Sequence, residues 1–239
     1  MDVGVLSGNL AWTEGEEVIV LLRLRIALPD RPGSLGQVTR ALGSAGADIT
    51  QVTVLDRGDG RALDDFTVYW PDAAPRDELL RSLETMDGVA VEGVWTTREA
   101  PGTYPELEIL KFLTTAGDRA LATLIDSMPV LFSADWAAAA TEKSPRSIVY
   151  SSWRAPAEVP FPDETPGRPA AVTLPSGVHM IVAPLPPLAL GLTLARAEGP
   201  AFHRSEVHRL TRILEIFLML PAVERGAGRV FRKATAKPL

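Results

Sequence analysis

The stretch Leu28-Pro29-Asp30-Arg31-Pro32-Gly33-Ser34-Leu35 decides how the first hundred residues are read. Two prolines and a glycine within five positions stop an extended strand. Before them, from Val18 to Leu28, the residues Leu22, Leu24, Ile26 and Leu28 alternate with Arg23 and Arg25. That period of two predicts a half-buried strand, its arginine side turned to water or a partner. After them, Leu35, Val38, Leu42 and Ala45 recur at helical spacing, and Gly43 and Gly46 help close the segment. The quoted residues are thus a turn from strand into helix.

Working outward, a second strand is predicted at Ile49–Leu55 and a tight turn at Arg57-Gly58-Asp59-Gly60. A third strand, Leu63 to Trp70, places Phe66, Val68 and Trp70 on one face, and Pro71 ends it. Leu79, Leu80, Leu83 and Met86 stripe a second helix, and Val89 to Trp95 reads as a last strand. The order β-α-β-β-α-β is the split arrangement of a ferredoxin-like sandwich.

The turn has a chemistry of its own. A helix start offers unpaired N–H groups and partial positive charge, a seat for a carboxylate. Gly33, lacking a Cβ, lets a ligand approach the backbone. Asp30 or Asp48 can then take an ammonium group. The plainer readings stand beside these: Asp30 as a helix cap, Gly33 as a turn residue, Pro32 as a fixed first-turn φ.

The Asp30-Arg31-Pro32-Gly33-Ser34-Leu35 motif, together with Gly46-Ala47-Asp48-Ile49, resembles the ACT domain family. The resemblance implies a ligand held between this loop and the matching segment of a neighbouring unit. It makes Asp30, Arg31, Pro32, Gly33, Ser34, Leu35, Ala47, Asp48 and Ile49 the expected ligand-binding residues, those from Gly46 to Ile49 supplied by a partner subunit in a homodimer.

Beyond a Pro/Gly-containing linker at 99–105, the pattern changes. Helices are expected around Leu107–Leu113 and Leu121–Met128. Strands follow at Trp136–Thr141, Ser147–Trp153, Val178–Pro184 and Leu188–Ala195, with a proline-heavy excursion from Ala155 to Pro169. Val207, Leu210, Ile213, Leu214 and Phe217 stripe a last helix. Ser133 to Ala138, the paired late strands and Phe202, Glu206, Leu210 and Leu214 resemble a GAF domain. The family's Asn-Lys-Phe-Asp-Glu set is missing, and without cysteine there is no attachment point for a bilin. The expected fold is α+β throughout. It runs as a lead-in at 1–16, an ACT-like ferredoxin-like βαββαβ domain at 17–98, a GAF-like α/β sandwich of an antiparallel sheet with helices at 106–221, and a basic tail at 222–239.

Composition narrows the function. The net charge of −6 argues against a nucleic-acid surface, and zero cysteines exclude disulfides and thiolate chemistry. No basic segment followed by an apolar core opens the chain, and no stretch reaches membrane-spanning length, so a cytoplasmic location with no membrane partner is expected. His203 and His208 lie five apart and do not share a helical face as a metal pair would; both are expected to be solvated. Ser205 is read as a helix cap, Asp64-Asp65 as solvated carboxylates, and Trp136 and Trp153 as core aromatics. No reaction, metal or cofactor is suggested. The expected protein is a non-catalytic regulator or sensor that binds a free amino acid and acts through another protein. The alternatives are a ligand-free dimerisation scaffold and an enzyme with an unrecognised C-terminal site.

Overall fold

Two antiparallel sheets, each with helices on one side, meet across a charged interface in the computed structural model. It describes residues 19–71, 75–97, 104–142, 145–162, 166–221 and 223. The expected lead-in at 1–16 lies outside these residues, as do all but Val223 of the tail at 222–239 and all but Tyr104 and Pro105 of the linker.

The first sheet comprises β1 (Ile19–Pro29), β2 (Asp48–Gly58), β3 (Arg61–Pro71) and β4 (Ala90–Thr96), in the order β2-β3-β1-β4. The helices α1 (Ser34–Ser44) and α2 (Arg76–Glu84) connect β1 to β2 and β3 to β4. The alternation read from β1 is realised. Leu22, Leu24, Ile26 and Leu28 pack with Phe66, Val68 and Trp70 beneath Val38, Leu42, Leu79 and Leu83 of the helices. Leu35 departs from the predicted stripe: Ser34, Val38 and Leu42 are the buried positions of α1, and Leu35 stands exposed beside the turn.

The second sheet runs β6-β5-β9-β8-β7: β5 (Trp136–Thr141), β6 (Ile148–Ser151), β7 (Ala170–Thr173), β8 (His179–Leu185) and β9 (Leu190–Arg196). Strand β7 was not foreseen; its Ala-Ala-Val-Thr carries too short an alternation after the proline-rich excursion. The helices α3 (Pro105–Thr115), α4 (Ala120–Phe132) and α5 (Arg204–Leu218) cover one face. Leu113, Leu124, Met128, Phe132, Leu210 and Phe217 close over Ala137, Ile181, Leu192 and Leu194 there.

The centre of the first sheet's other face, turned away from α1 and α2, is covered by the second half of the same chain. Arg25 clasps Asp65 with two bonds, Nε to Oδ1 at 2.7 Å and Nη2 to Oδ2 at 2.9 Å, and donates to Glu206 Oε2 at 2.9 Å. Arg196 donates to Glu206 Oε1 at 2.9 Å and to the carbonyls of Phe132, Ser133 and Pro200. Arg23 reaches Asp65 at 3.2 Å and donates to the Ser133 hydroxyl. Trp95 is enclosed by these guanidinium groups, with that of Arg196 5.2 Å from its ring centre. Backbone seats itself closely at the seam. A Cβ on Gly93 would come within 2.8 Å of Pro200, and one on Gly199 within 2.8 Å of Trp95.

Four readings are corrected by this arrangement. Asp64 and Asp65 do diverge, onto opposite faces of β3, but both are buried, at 2% and 1% exposure. Trp153 is 93% exposed, whereas Trp136 lies in the core. Ser205 does not cap α5. His203 does, its side chain accepting from the Ser205 N–H, while Glu206 reaches back to the His203 N–H at 2.8 Å. His203 is consequently half-buried; its burial and the neighbouring Arg25 and Arg204 outweigh Asp56 and hold its pKa below the usual histidine value. His208 is exposed, as read.

Candidate functional site

The turn after β1 is shaped by its own residues. The Asp30 N–H donates to the Gly60 carbonyl at 2.8 Å, tying the turn to the β2–β3 hairpin. Gly33 precedes α1 with φ +92°, a left-handed conformation that a side chain disfavours. A Cβ there would meet nothing within 4 Å, so backbone conformation, not crowding, calls for the glycine.

Asp30 is not the cap of α1. Its carboxylate pairs with Arg57 across the hairpin, Nη2 to Oδ1 at 2.5 Å and Nε to Oδ2 at 3.2 Å. The first turn of α1 has no side-chain cap and no acidic residue. Its positive end therefore keeps donors unfilled by side chains, on an open, exposed surface. Pro32, Gly33 and Leu35 are exposed around it, and Ser34 is buried beneath. Arg31 is largely exposed, 3.9 Å from Asp87 after α2.

The other expected segment lies elsewhere in the same chain. Asp48 pairs with Tyr69, and Tyr69 with Leu21, whereas the turn follows Pro29, which pairs with Arg61. From Leu21 to Pro29 the strand rises on the order of 25 Å. Ala47, Asp48 and Ile49 thus sit at the opposite end of the sheet from Asp30–Leu35, and one chain does not bring the two groups together. Ala47 is buried, Asp48 exposed, and Ile49 packs against the core.

Sequence reasoning set Asp64 in water, and the structure buries it. It pairs with Ile26 and lies on the helix-covered face toward the turn, its Oδ1 buried without a hydrogen-bond partner among the described residues. Burial first, then the adjacent Asp65 carboxylate, pushes its pKa upward. The signal was its place in the alternation with Phe66 and Val68, which puts residue 64 inside.

The ACT domain family model matches residues 22–87, so this segment is an ACT domain. A GTP pyrophosphokinase of Myxococcus xanthus is 35% identical over 81 residues; the match covers 34% of this chain and 11% of that protein. Among solved structures, the ACT domain from GTP pyrophosphokinase of Chlorobium tepidum is 19% identical. That match covers 33% of this chain and 99% of the other, with a TM-score of 0.28. The regulatory subunit of aspartate kinase from Thermus thermophilus is 13% identical over 84% of this chain and 92% of the other, with a TM-score of 0.27. The GAF-like character of residues 106–221 is not carried by these matches.

Proposed function

We propose that the chain is a non-catalytic regulatory protein whose ACT domain binds a free amino acid and passes the signal to another protein. The observation that carries this is the Asp30–Gly33 turn leading into an uncapped α1 within a segment that matches the ACT family. The ligand carboxylate takes the N–H groups at the start of α1, and Asp48 of a second copy takes the ammonium group.

A homodimer satisfies that geometry in one way. The second half already occupies the centre of the open sheet face, so face-to-face pairing is closed to a second copy. Strand β2 is outermost in its sheet, and Val52 and Val54 on it are exposed. Antiparallel pairing of β2 with its copy sets the Asp48 end of one beside the Gly58 end of the other. The Asp30 turn is tied to that end through Gly60. Strand β1 runs from the turn to Arg25 and so to Glu206, which gives ligand binding a route to α5.

Thermal-shift titration of the full chain with the twenty amino acids, paired with sedimentation, tests the reading. At least one amino acid is expected to raise the melting temperature and to favour a mass near twice 25.7 kDa. The exposed Asp48→Ala variant is expected to keep the ligand-free melting temperature and lose the shift. Silence toward all twenty, with a mass that stays near 25.7 kDa, overturns it.

A further inference from the structure

A second recess lies away from the ACT turn, at the junction of the two halves. A cavity of about 600 Å³ opens where the end of β4 meets α4, β5 and β6, within the size range of small-molecule sites and in a favoured place for them. Thr96 and Thr97 contribute from the first half. Pro129 and Val130 of α4 give it an apolar side, Asp126 and Asp135 supply negative charge, and among the described residues Arg154 is the one lining residue of positive charge.

Each carboxylate spends one oxygen within the protein. Asp126 Oδ2 accepts from the Tyr150 hydroxyl at 2.7 Å, and Asp135 Oδ2 accepts from the Ala197 N–H at 2.7 Å. The Oδ1 atoms of both have no protein partner among the described residues. The bond to Asp126 is the leading reason the Tyr150 phenol titrates higher than usual, so it stays a neutral donor. Trp153, at 93% exposure, lends the cavity an aromatic face that nothing among the described residues covers. An indole face attracts cations, and two carboxylates reinforce the preference. The fixed charge of the described lining residues sums to −1, from two aspartates and one arginine.

We infer that this cavity binds a small organic ammonium compound with an apolar body. The ammonium sits between Asp126 and Asp135, and the body lies over Pro129 and Val130 against the Trp153 ring. Such a ligand touches both halves of the chain, because Thr97 belongs to the first and Ser133, which holds Arg23, forms part of the same wall. The inference stands independently of the ACT-turn reading.

Calorimetric titration of the full chain with 2-phenylethylamine tests it, with 3-phenylpropionate as the charge-reversed control of like shape. Saturable binding of the amine is expected, with the carboxylate at least about tenfold weaker. The Asp126→Asn/Asp135→Asn double variant and, separately, Trp153→Ala are each expected to weaken the amine about tenfold, with circular dichroism unchanged because all three residues are exposed. Asp48→Ala is expected to bind the amine normally, which separates this site from the ACT turn. Absence of saturable heat at millimolar amine, equal binding of the carboxylate, or indifference to both variants overturns the inference.

Discussion

The central strands β1 and β3 of the first sheet are largely buried on both faces, by opposite chemistry. On the helix side Leu24, Ile26, Phe66 and Trp70 exclude water by apolar packing, with no direction required of any contact. On the other side Arg23, Arg25, Asp65, Arg196 and Glu206 are nearly as inaccessible, and most of their bonds are directed, at 2.6 to 3.2 Å. Packing of the first kind tolerates exchange of similar shapes. The second kind tolerates little, since each charge removed strands another in a dry place. A domain that holds its own helices by hydrophobicity thus holds its neighbour by complementarity.

The largest effect that would break this contrast is expected at Glu206. Glu206→Gln leaves Arg25 and Arg196 short of a counter-charge and should destabilise the chain by about 3 kcal/mol, measured by urea unfolding. Acid sharpens the test. Burial alone would raise the Glu206 carboxyl, but Arg196, Arg25 and the His203 N–H hold it below its ordinary 4.5. Its stabilisation is therefore complete above the unfolded value and is lost as pH falls through the lower native one. The gap between native chain and variant should narrow below about pH 4.5. A gap independent of pH would mean that shape, not charge, holds the halves together.

A middle-sized effect is expected at Gly93→Val, which drives a side chain into Pro200 and should cost about 1–3 kcal/mol. Chemical unfolding read by tryptophan fluorescence follows it; an unaltered midpoint would show that the seam yields easily. The smallest effect has the reverse sign. Asp64 has its pKa raised by burial and by Asp65, so its ionised form opposes folding, increasingly as pH rises through its native value. Asp64→Asn should add roughly half a kcal/mol near neutral pH, read from the same urea curves. A loss there would reveal a partner that depends on the charge.

Much of the first half was legible because its punctuation is local. The prolines and glycine at 29–33 and the leucine alternation before them fix strand, turn and helix within fifteen residues. The interface was not legible, because its partners are far apart: Arg25 and Glu206 are 181 positions apart, and nothing near either names the other. Period-two patterning says which side of β1 is polar without saying what covers it. Trp153 was misplaced by the general habit of tryptophan, and His203 by the preference for serine at caps. As for the site, the motif located the exposed turn, but the Asp30–Arg57 pair depends on the β2–β3 hairpin, which no pattern around residue 30 encodes.

The separation of Arg25 from Glu206 has a consequence during synthesis. At about 5 to 20 residues per second, the ribosome takes on the order of 10 to 40 seconds to make the 181 residues that follow Arg25 through Glu206. Through that interval the first sheet can already close over its leucines while its other face waits for a partner not yet made. An apolar face left waiting would stick to whatever it met. One bearing Arg23, Arg25 and Asp65 stays hydrated, holding the nascent domain soluble until α5 arrives to replace the water.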